Sequence, residues 1–586
     1  MTSNKPRGLR SRQRIIYSLG SLAMIALVTV AGFQTCLFSS PATIDPDSII
    51  FQTNFSYASM NASAWIVPPE RTRGFLFEVQ PMNYPPFLDT VVNNSVVKYH
   101  LGETTLYDPT GFTDGEWDYS FYHLLNGALD GAGRPSWGGY STPPANRAEA
   151  LSDIQKYFLN ITDSQPRPWY TFTGHYTYQH YAAEWGSDCI GSEIGENING
   201  YQQSIAFNRG AARQYGKPWF IDVSAWNSGG ITDYSTAKPW GSVSGPNNGH
   251  SLSLYNRTYY MSYMAGTGTL IAEAGGVNFF VQQLDSDNCF VPSPLGLVGQ
   301  GLYNFTQRHP DPGIPYTPFA MLLDYYHGMY MGDNAPELAF EYFPYDAGDY
   351  MSWNLLNTFF PGSWNFDSTN EQGTLVNTPW GDSLDVLLQD ASPDVLSSYP
   401  VIIPSGDITF TQTQITNLIN YVDQGGVLLL NTAYTGQFPS WFAGGMDGYC
   451  NYITTRQHGN GTLLVFGPRF SIDQACNAAI SALASRLLPF GVTGDGNVEY
   501  LINRRANSWV ITLINNNGVT KDIHDPPQID PSQAKSVTIH YRLGAVSSIK
   551  NWLTDRPVPV SMWGDGKTVT MDIPPGGISV LEFVTA

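Results

Sequence analysis

Short apolar runs, each closed by polar or aromatic residues, recur between positions 168 and 328: "PWYTFTGHY", "SDCIGSEIGE", "KPWFIDVSAW", "GTLIAEAGG" and "PYTPFAMLLDYYHG". Runs of this length read as strands buried on both faces. Helix-length segments separate several of them. "YQQSIAFNRGAARQ" is one, with Gly216 as its stop and Lys217-Pro218 returning the chain to an extended form. "RAEALSDIQKYFLN" is another, and "GFLFEVQP" from Gly74 supplies an earlier β-rich run. Alternating strands and helices predict a parallel α/β sheet, and over roughly 300 residues its natural closure is a (β/α)8 TIM-type barrel.

The pattern changes near Tyr345. "YPVIIPSG" and "GGVLLLN" flank the amphipathic segment "TQTQITNLINYVDQ", whose Ile415, Leu418, Ile419 and Val422 share one face. That predicts a doubly wound, flavodoxin-like open sheet. From Asn497 the runs "VEYLINRR", "SWVITLINN", "KSVTIHYRL", "KTVTMDIPP" and "ISVLEFV" alternate between turn residues, as in a small antiparallel β-sandwich. The expected division is a basic tail and apolar anchor over 1–45, a barrel over 46–345, an open-sheet domain over 346–495 and a sandwich over 496–586.

The N-terminus changes the picture by adding a membrane. Lys5, Arg7, Arg10, Arg12 and Arg14 precede a stretch without charge from Ile15 to Phe38. Such a run can span a bilayer with its basic flank in the cytoplasm. It reads as an uncleaved signal anchor, with a cleaved signal peptide as the alternative, and the rest of the chain is then expected outside the cell or in a lumen. Acceptor sequons at Asn54, Asn61, Asn93, Asn160, Asn256, Asn304 and Asn460 suit that route and predict a glycoprotein. Of the five cysteines, Cys36 lies in the apolar stretch, and the domain limits suggest disulfides Cys189 with Cys289 and Cys450 with Cys476.

A net charge of -20 argues against nucleic acid as a partner, because phosphate binding needs clustered Lys and Arg. No G-x-S-x-G elbow, H-E-x-x-H pair, zinc-ligand spacing or convincing G-x-G-x-x-G is present, so no metal and no cofactor are expected. The 15 Trp and 35 Tyr are numerous enough to supply both core and sugar-stacking surfaces.

Active sites of parallel barrels lie at the carboxyl ends of the strands. Glu193 and Glu196 end one run there, and Glu273 ends "TLIAEAGG". Two carboxyl groups on separate strand ends meet the requirement of glycoside cleavage: one acid to protonate the leaving oxygen, one carboxylate to attack the sugar or activate water. Glu193 is the first choice of acid, with Glu196 close behind and Glu273 as nucleophile. The structural alternative is that these glutamates cap helices or pair with Arg209 or Arg213. Asp222, Asp324, Trp185, Trp226, Tyr176 and Tyr326 end or follow similar runs and are the candidate substrate-binding residues. Glu78, in "FLFEVQ", is a further strand carboxylate.

A barrel with strand-end glutamates, then "YPVIIPSGDITFTQTQITNLINYVDQGGVLLLN", then a β-sandwich resembles the glycoside hydrolases of the large retaining (β/α)8 clan. Among them it is similar to beta-galactosidase-like members carrying a class I glutamine amidotransferase-like domain. The resemblance implies O-glycosyl hydrolase activity on a β-linked carbohydrate and a middle domain able to mediate homo-oligomerisation. Two rivals use the same scaffold, a transglycosidase and a non-catalytic glycan-binding or assembly protein. The clan's acid usually follows an Asn, whereas Ser192 precedes Glu193 here. Its acid and nucleophile follow the fourth and seventh strands, yet only "WFIDVSAW" separates Glu193 from Glu273 clearly. An active amidotransferase needs a cysteine on the turn where "GGVLLLNTAY" has Asn431 and Thr432, so the middle domain is expected to be inert.

Overall fold

The computed structural model describes the backbone of strands 76–79, 98–99, 106–107 and 113–116, and residues 143–586 apart from 164–168, 175, 196–199, 228, 235–240, 273–277, 283–289, 330–337, 364–370, 372, 443–452 and 560–562. The expected signal anchor, the sequons at Asn54, Asn61 and Asn93, and Cys36, Cys289 and Cys450 lie outside the described residues. Among the described residues no helix is long and apolar enough to cross a membrane. Cys476 is a buried free thiol, so the expected pairing with Cys450 is not formed.

The first sheet has eight strands. Seven are parallel, and in chain order they run Leu76–Val79, Lys98–Tyr99, Thr113–Glu116, Trp169–Thr173, Cys189–Ile194, Trp219–Val223 and Thr269–Ala272. Thr269–Ala272 pairs in parallel with Leu76–Val79, so the last strand lies beside the first. That cyclic order is the strand order of a (β/α) barrel. The short antiparallel strand Leu106–Tyr107 ends one side of the sheet and Lys98–Tyr99 the other, with no pairing between them among the described residues. Among the described residues the arrangement is therefore barrel-like with seven parallel strands, where eight were expected in the whole barrel.

The two faces of this sheet differ in what they bury. Ile190, Ile194, Ile221, Val223, Leu270 and Ala272 join the large core beneath the helices, whereas Phe172, Cys189, Phe220 and Ile271 form a separate apolar cluster on the opposite, inner face. Strand alternation explains the division, because residues i and i+2 share a face. Gly191 has to be glycine: a Cβ there would lie 2.4 Å from the Phe220 ring, which fills the interior in its place.

The missing eighth strand has another home. Phe319–Leu323, expected in the barrel, is an inner strand of a second sheet, between Leu384–Leu388 and Val401–Ser405, followed by Val427–Asn431, Gly461–Phe466 and an antiparallel edge, Thr454–His458. The parallel order by chain position is 2-1-3-4-5, that of the flavodoxin-like doubly wound fold. The predicted helix is Gln412–Asp423, opened by a Thr411/Gln414 capping box. Asn431 accepts from the backbone N–H groups of Ala433 and Phe470 and donates to the carbonyls of Pro468 and Ser471. It is thus committed to the turn it occupies.

Two antiparallel sheets complete the chain, one built on Glu499–Arg504, Ser508–Ile514, Ile578–Thr585 and Val546–Asn551, the other on Phe490–Gly494, Lys535–Tyr541 and Thr568–Ile573. The helix Tyr201–Tyr215 joins the barrel to the second sheet. A Cβ on its Gly210 would fall 1.8 Å from the Val386 carbonyl. Arg209 donates to Asp382 (2.6 and 2.8 Å) and Asp385 (2.7 Å), all nearly fully buried, and Arg213 also pairs with Asp385. These arginines serve the junction between the sheets.

Candidate active site

Parallel register sets one row of inner-face positions near the carboxyl ends of the strands. Glu193 pairs with Asp222, Asp222 with Ile271, Ile271 with Glu78, and Glu78 with Lys98. Neighbouring strands are about 4.8 Å apart, so Glu193 and Asp222 project side by side from adjoining strands. Asp222 is buried at 3 % exposure and Glu193 is half-buried. Beneath them Phe172 and Phe220 meet edge to face at 5.9 Å, an apolar floor that closes the interior below the two carboxyl groups.

Ser192 points the other way. Its Oγ accepts from Gln179 Nε2 at 3.2 Å, on the helix-facing side of the strand. Glu196 and Glu273 lie outside the described residues; in the chain Glu273 directly follows the strand Thr269–Ala272.

The candidate binding residues divide. Trp226, half-buried, sits in the short strand Trp226–Asn227 just beyond Trp219–Val223, at the mouth. Tyr176 also follows a strand, but it is 1 % exposed, its ring is stacked on Phe207, and its hydroxyl donates toward the Gly200 carbonyl and Gln203 Oε1 at 3.1 Å. It tethers the start of the helix Tyr201–Tyr215 and offers no sugar platform. Trp185 caps the C-terminus of the helix Tyr178–Glu184, which leads into the next strand and so ends at the opposite side of the sheet from the mouth. There it stacks on Tyr181 and packs against Phe158. Asp324 and Tyr326 belong to the second sheet, following its strand Phe319–Leu323.

Asp324 stands at that sheet's topological switch point, beside Gly406, where Asp349 lies 3.4 Å from His327 and binds Arg147 at 2.5 and 2.9 Å. Burial pushes its carboxyl up to about 6. Reading the sequence alone put this residue in the barrel because a five-residue apolar strand looks the same in either sheet.

Residue 371 and residues 373–378, which precede the strand Leu384–Leu388, lie against the segments that follow the barrel strands. Tyr201 N–H donates to the Thr374 carbonyl (3.1 Å), Gln202 bonds both backbone groups of Val376, and Glu371 accepts from the Ser251 backbone N–H at 2.5 Å and its Oγ at 2.9 Å. Burial, then the electrostatic influence of Glu371, Tyr255 and Glu193, holds the Tyr201 phenol well above its usual range. Glu371 was missed because nothing in "STNEQGTL" marks a site. Its left-handed backbone, φ 62, appears only in the structure. Among the described residues no group of three or more His, Cys, Asp or Glu could hold a metal ion.

No protein-family model and no curated protein matches the sequence. Among solved structures, a beta-galactosidase from Bacillus circulans sp. alkalophilus is similar at 12 % identity and TM-score 0.46, over 76 % of this chain and 70 % of that one. A rhamnosidase from Novosphingobium sp. PP1Y is similar at 11 % identity and TM-score 0.44 over 75 % of this chain, which spans only 39 % of the rhamnosidase. Alpha-L-fucosidase isoenzyme 2 from Paenibacillus thiaminolyticus is similar at 11 % identity and TM-score 0.42, over 81 % of this chain and 77 % of that one.

Proposed function

We propose that the protein is a glycoside hydrolase acting at the carboxyl end of its barrel-like sheet. The observation that carries this reading is the in-register pair Glu193 and Asp222 on the inner face, above an apolar floor. A glycosidic oxygen entering from the mouth meets two carboxyl groups on adjoining strands, and general-acid catalysis asks one of them to deliver a proton to it.

Glu193 is the acid in this proposal, Asp222 the neighbour that tunes and orients it, and Glu273 the nucleophile that forms a glycosyl-enzyme on the retaining route. Glu196 is the alternative acid. Trp226 stacks on a sugar face. The linkage is β, by the resemblance stated above, and the apolar segment at 15–38 anchors the protein with this site outside the cytoplasm.

Turnover of a panel of aryl β-glycosides by the full chain and by Glu193→Gln and Glu273→Gln tests the reading. Expected is a loss of kcat of about 100-fold or more in each variant, the scale of general acid–base catalysis, with azide restoring turnover in Glu273→Ala. Undiminished turnover in both glutamine variants would overturn the assignment. Sugar binding without turnover in the parent would favour the glycan-binding rival.

A further inference from the structure

Between the strand Trp219–Val223 and the helix Leu252–Ala265, the chain folds into a small ribbon of Trp226–Asn227, Gly230–Thr232 and Ser244–Gly245 at the mouth. Two of its side chains bury polar atoms with no hydrogen-bond partner. Asn227 is 1 % exposed and neither amide atom is bonded; His250 is 4 % exposed and its Nε2 is unbonded. A buried polar group left unmatched costs about 1–3 kcal/mol, so two together ask what they are meant to bind.

The two lie on adjoining backbone. A Cβ at Gly230 would meet the Gly249 backbone nitrogen at 3.4 Å and the Asn227 carbonyl oxygen at 3.5 Å. On the other side of the imidazole, His250 Nδ1 lies 3.5 Å from Glu371 Oε1 without forming a hydrogen bond, so both ring nitrogens are unbonded. Burial would raise the Glu371 carboxyl, but His250, the Ser251 N–H and Arg257 outweigh it and leave it below the usual range, so it faces His250 as a carboxylate. A non-glycine residue held at φ 62 is strained, and such strain persists where the surroundings over-determine it.

We propose that Asn227 and His250, whose amide and imidazole polar atoms are buried and unbonded, form with Glu371 beside them a subsite that hydrogen-bonds the hydroxyl groups of a neutral sugar. The amide offers one acceptor and two donors and the imidazole one acceptor, a set that matches adjacent hydroxyls, each of which both donates and accepts. Anionic sugars are disfavoured, because Glu193, Asp222 and Glu371 make the acidic groups outnumber the free cations at this mouth. The nearby cations are engaged: Arg257 donates to Asn516 Oδ1 and the Ser253 carbonyl, and Lys521 to the carbonyls of Asn247, Asp522 and Ile523. The subsite rests on the glycosidase reading of the same mouth.

The test is binding of galactose, glucose, mannose, fucose and xylose to the full chain, with galacturonate as the anionic probe, by calorimetry and saturation-transfer NMR. At least one neutral sugar is expected to bind, and galacturonate about tenfold or more weaker than galactose. Asn227→Ala and His250→Ala should each weaken that binding by about tenfold, the worth of one well-placed hydrogen bond. Glu371→Gln, which keeps shape and removes charge, should weaken it less. On a hydrolysed glycoside the same variants should raise KM more than they lower kcat, a division that a purely structural role would not give. Thermal unfolding identifies any variant that fails to fold, and the near-isosteric Asn227→Asp and His250→Gln then stand in. Failure of every neutral sugar to bind the parent would sink the glycosidase reading itself. Binding unchanged by the Asn227 and His250 variants would overturn the subsite alone, and galacturonate binding as tightly as galactose would overturn its charge selectivity.

Discussion

Asp324 shows how one side chain can report on its surroundings. Its carboxyl is buried beside Asp349 and Asp407, with Arg147 and the Tyr326 N–H as partial compensation, and is pushed up to about 6 from an ordinary value of 3.8. A raised folded-state value in an acid is a penalty, present above pH 6 and relieved as pH falls below 4. Two pKa units amount to roughly 3 kcal/mol. Asp324→Asn should therefore stabilise the fold at pH 7 by up to about that amount, with the gain in melting temperature vanishing toward pH 4; a gain independent of pH would contradict this origin. Arg209 is the opposite case. Removing it as Arg209→Met strands Asp382 and Asp385 in the interior, at an expected cost of about 3–5 kcal/mol in denaturant unfolding. At this scale the place of Glu193 near the end of a buried strand was legible in the sequence, because a carboxylate closing an apolar run is rare enough to stand out. Tyr176 and Trp185 were misread, because a sequence does not reveal which aromatic near a strand end is covered by a neighbouring ring.

Among the elements, strands and helices follow the apolar periodicity closely, and "TQTQITNLINYVDQ" is the helix Gln412–Asp423 within two residues. Membership of a sheet was harder to read. Phe319–Leu323 is apolar throughout and flanked by turns, a pattern shared by every parallel strand, so only its pairing with Leu384–Leu388 and Val401–Ser405 assigns it to the second sheet. Likewise, no eighth barrel strand lies in the described part of the segment before His250; its short strands form a ribbon of their own, and one barrel strand separates those of Glu193 and Ala272. The helix Tyr201–Tyr215 yields a prediction of its own. Gly210→Ala places a methyl group against the Val386 carbonyl, so the helix must withdraw from the second sheet. A loss of about 1–3 kcal/mol is expected, with faster proteolysis near the junction, and full stability in this variant would show that the contact is looser than described.

Across the whole molecule, the three layers depend on shared contacts. Arg209 and Arg213 bind the barrel helix to the second sheet, and the strap of 371 and 373–378 binds barrel and sandwich through Glu371, Gln202, Asn516 and the Thr378–Glu499 hydrogen bond of 2.7 Å. Urea unfolding followed by tryptophan fluorescence and far-UV circular dichroism should therefore give one coincident transition, and separated transitions would show independent domains. The same strap brings a residue remote in sequence to the barrel mouth, which is why the proposed sugar subsite was invisible to motif reading. The chemistry itself is tested most directly by mass spectrometry after incubation with an activated 2-deoxy-2-fluoro-β-glycoside of a sugar the protein binds. Retaining hydrolysis predicts one covalent glycosyl adduct, mapped to Glu273, accumulating in the parent and absent from Glu273→Gln. An adduct on another residue, or none while the corresponding β-glycoside is turned over, would contradict it.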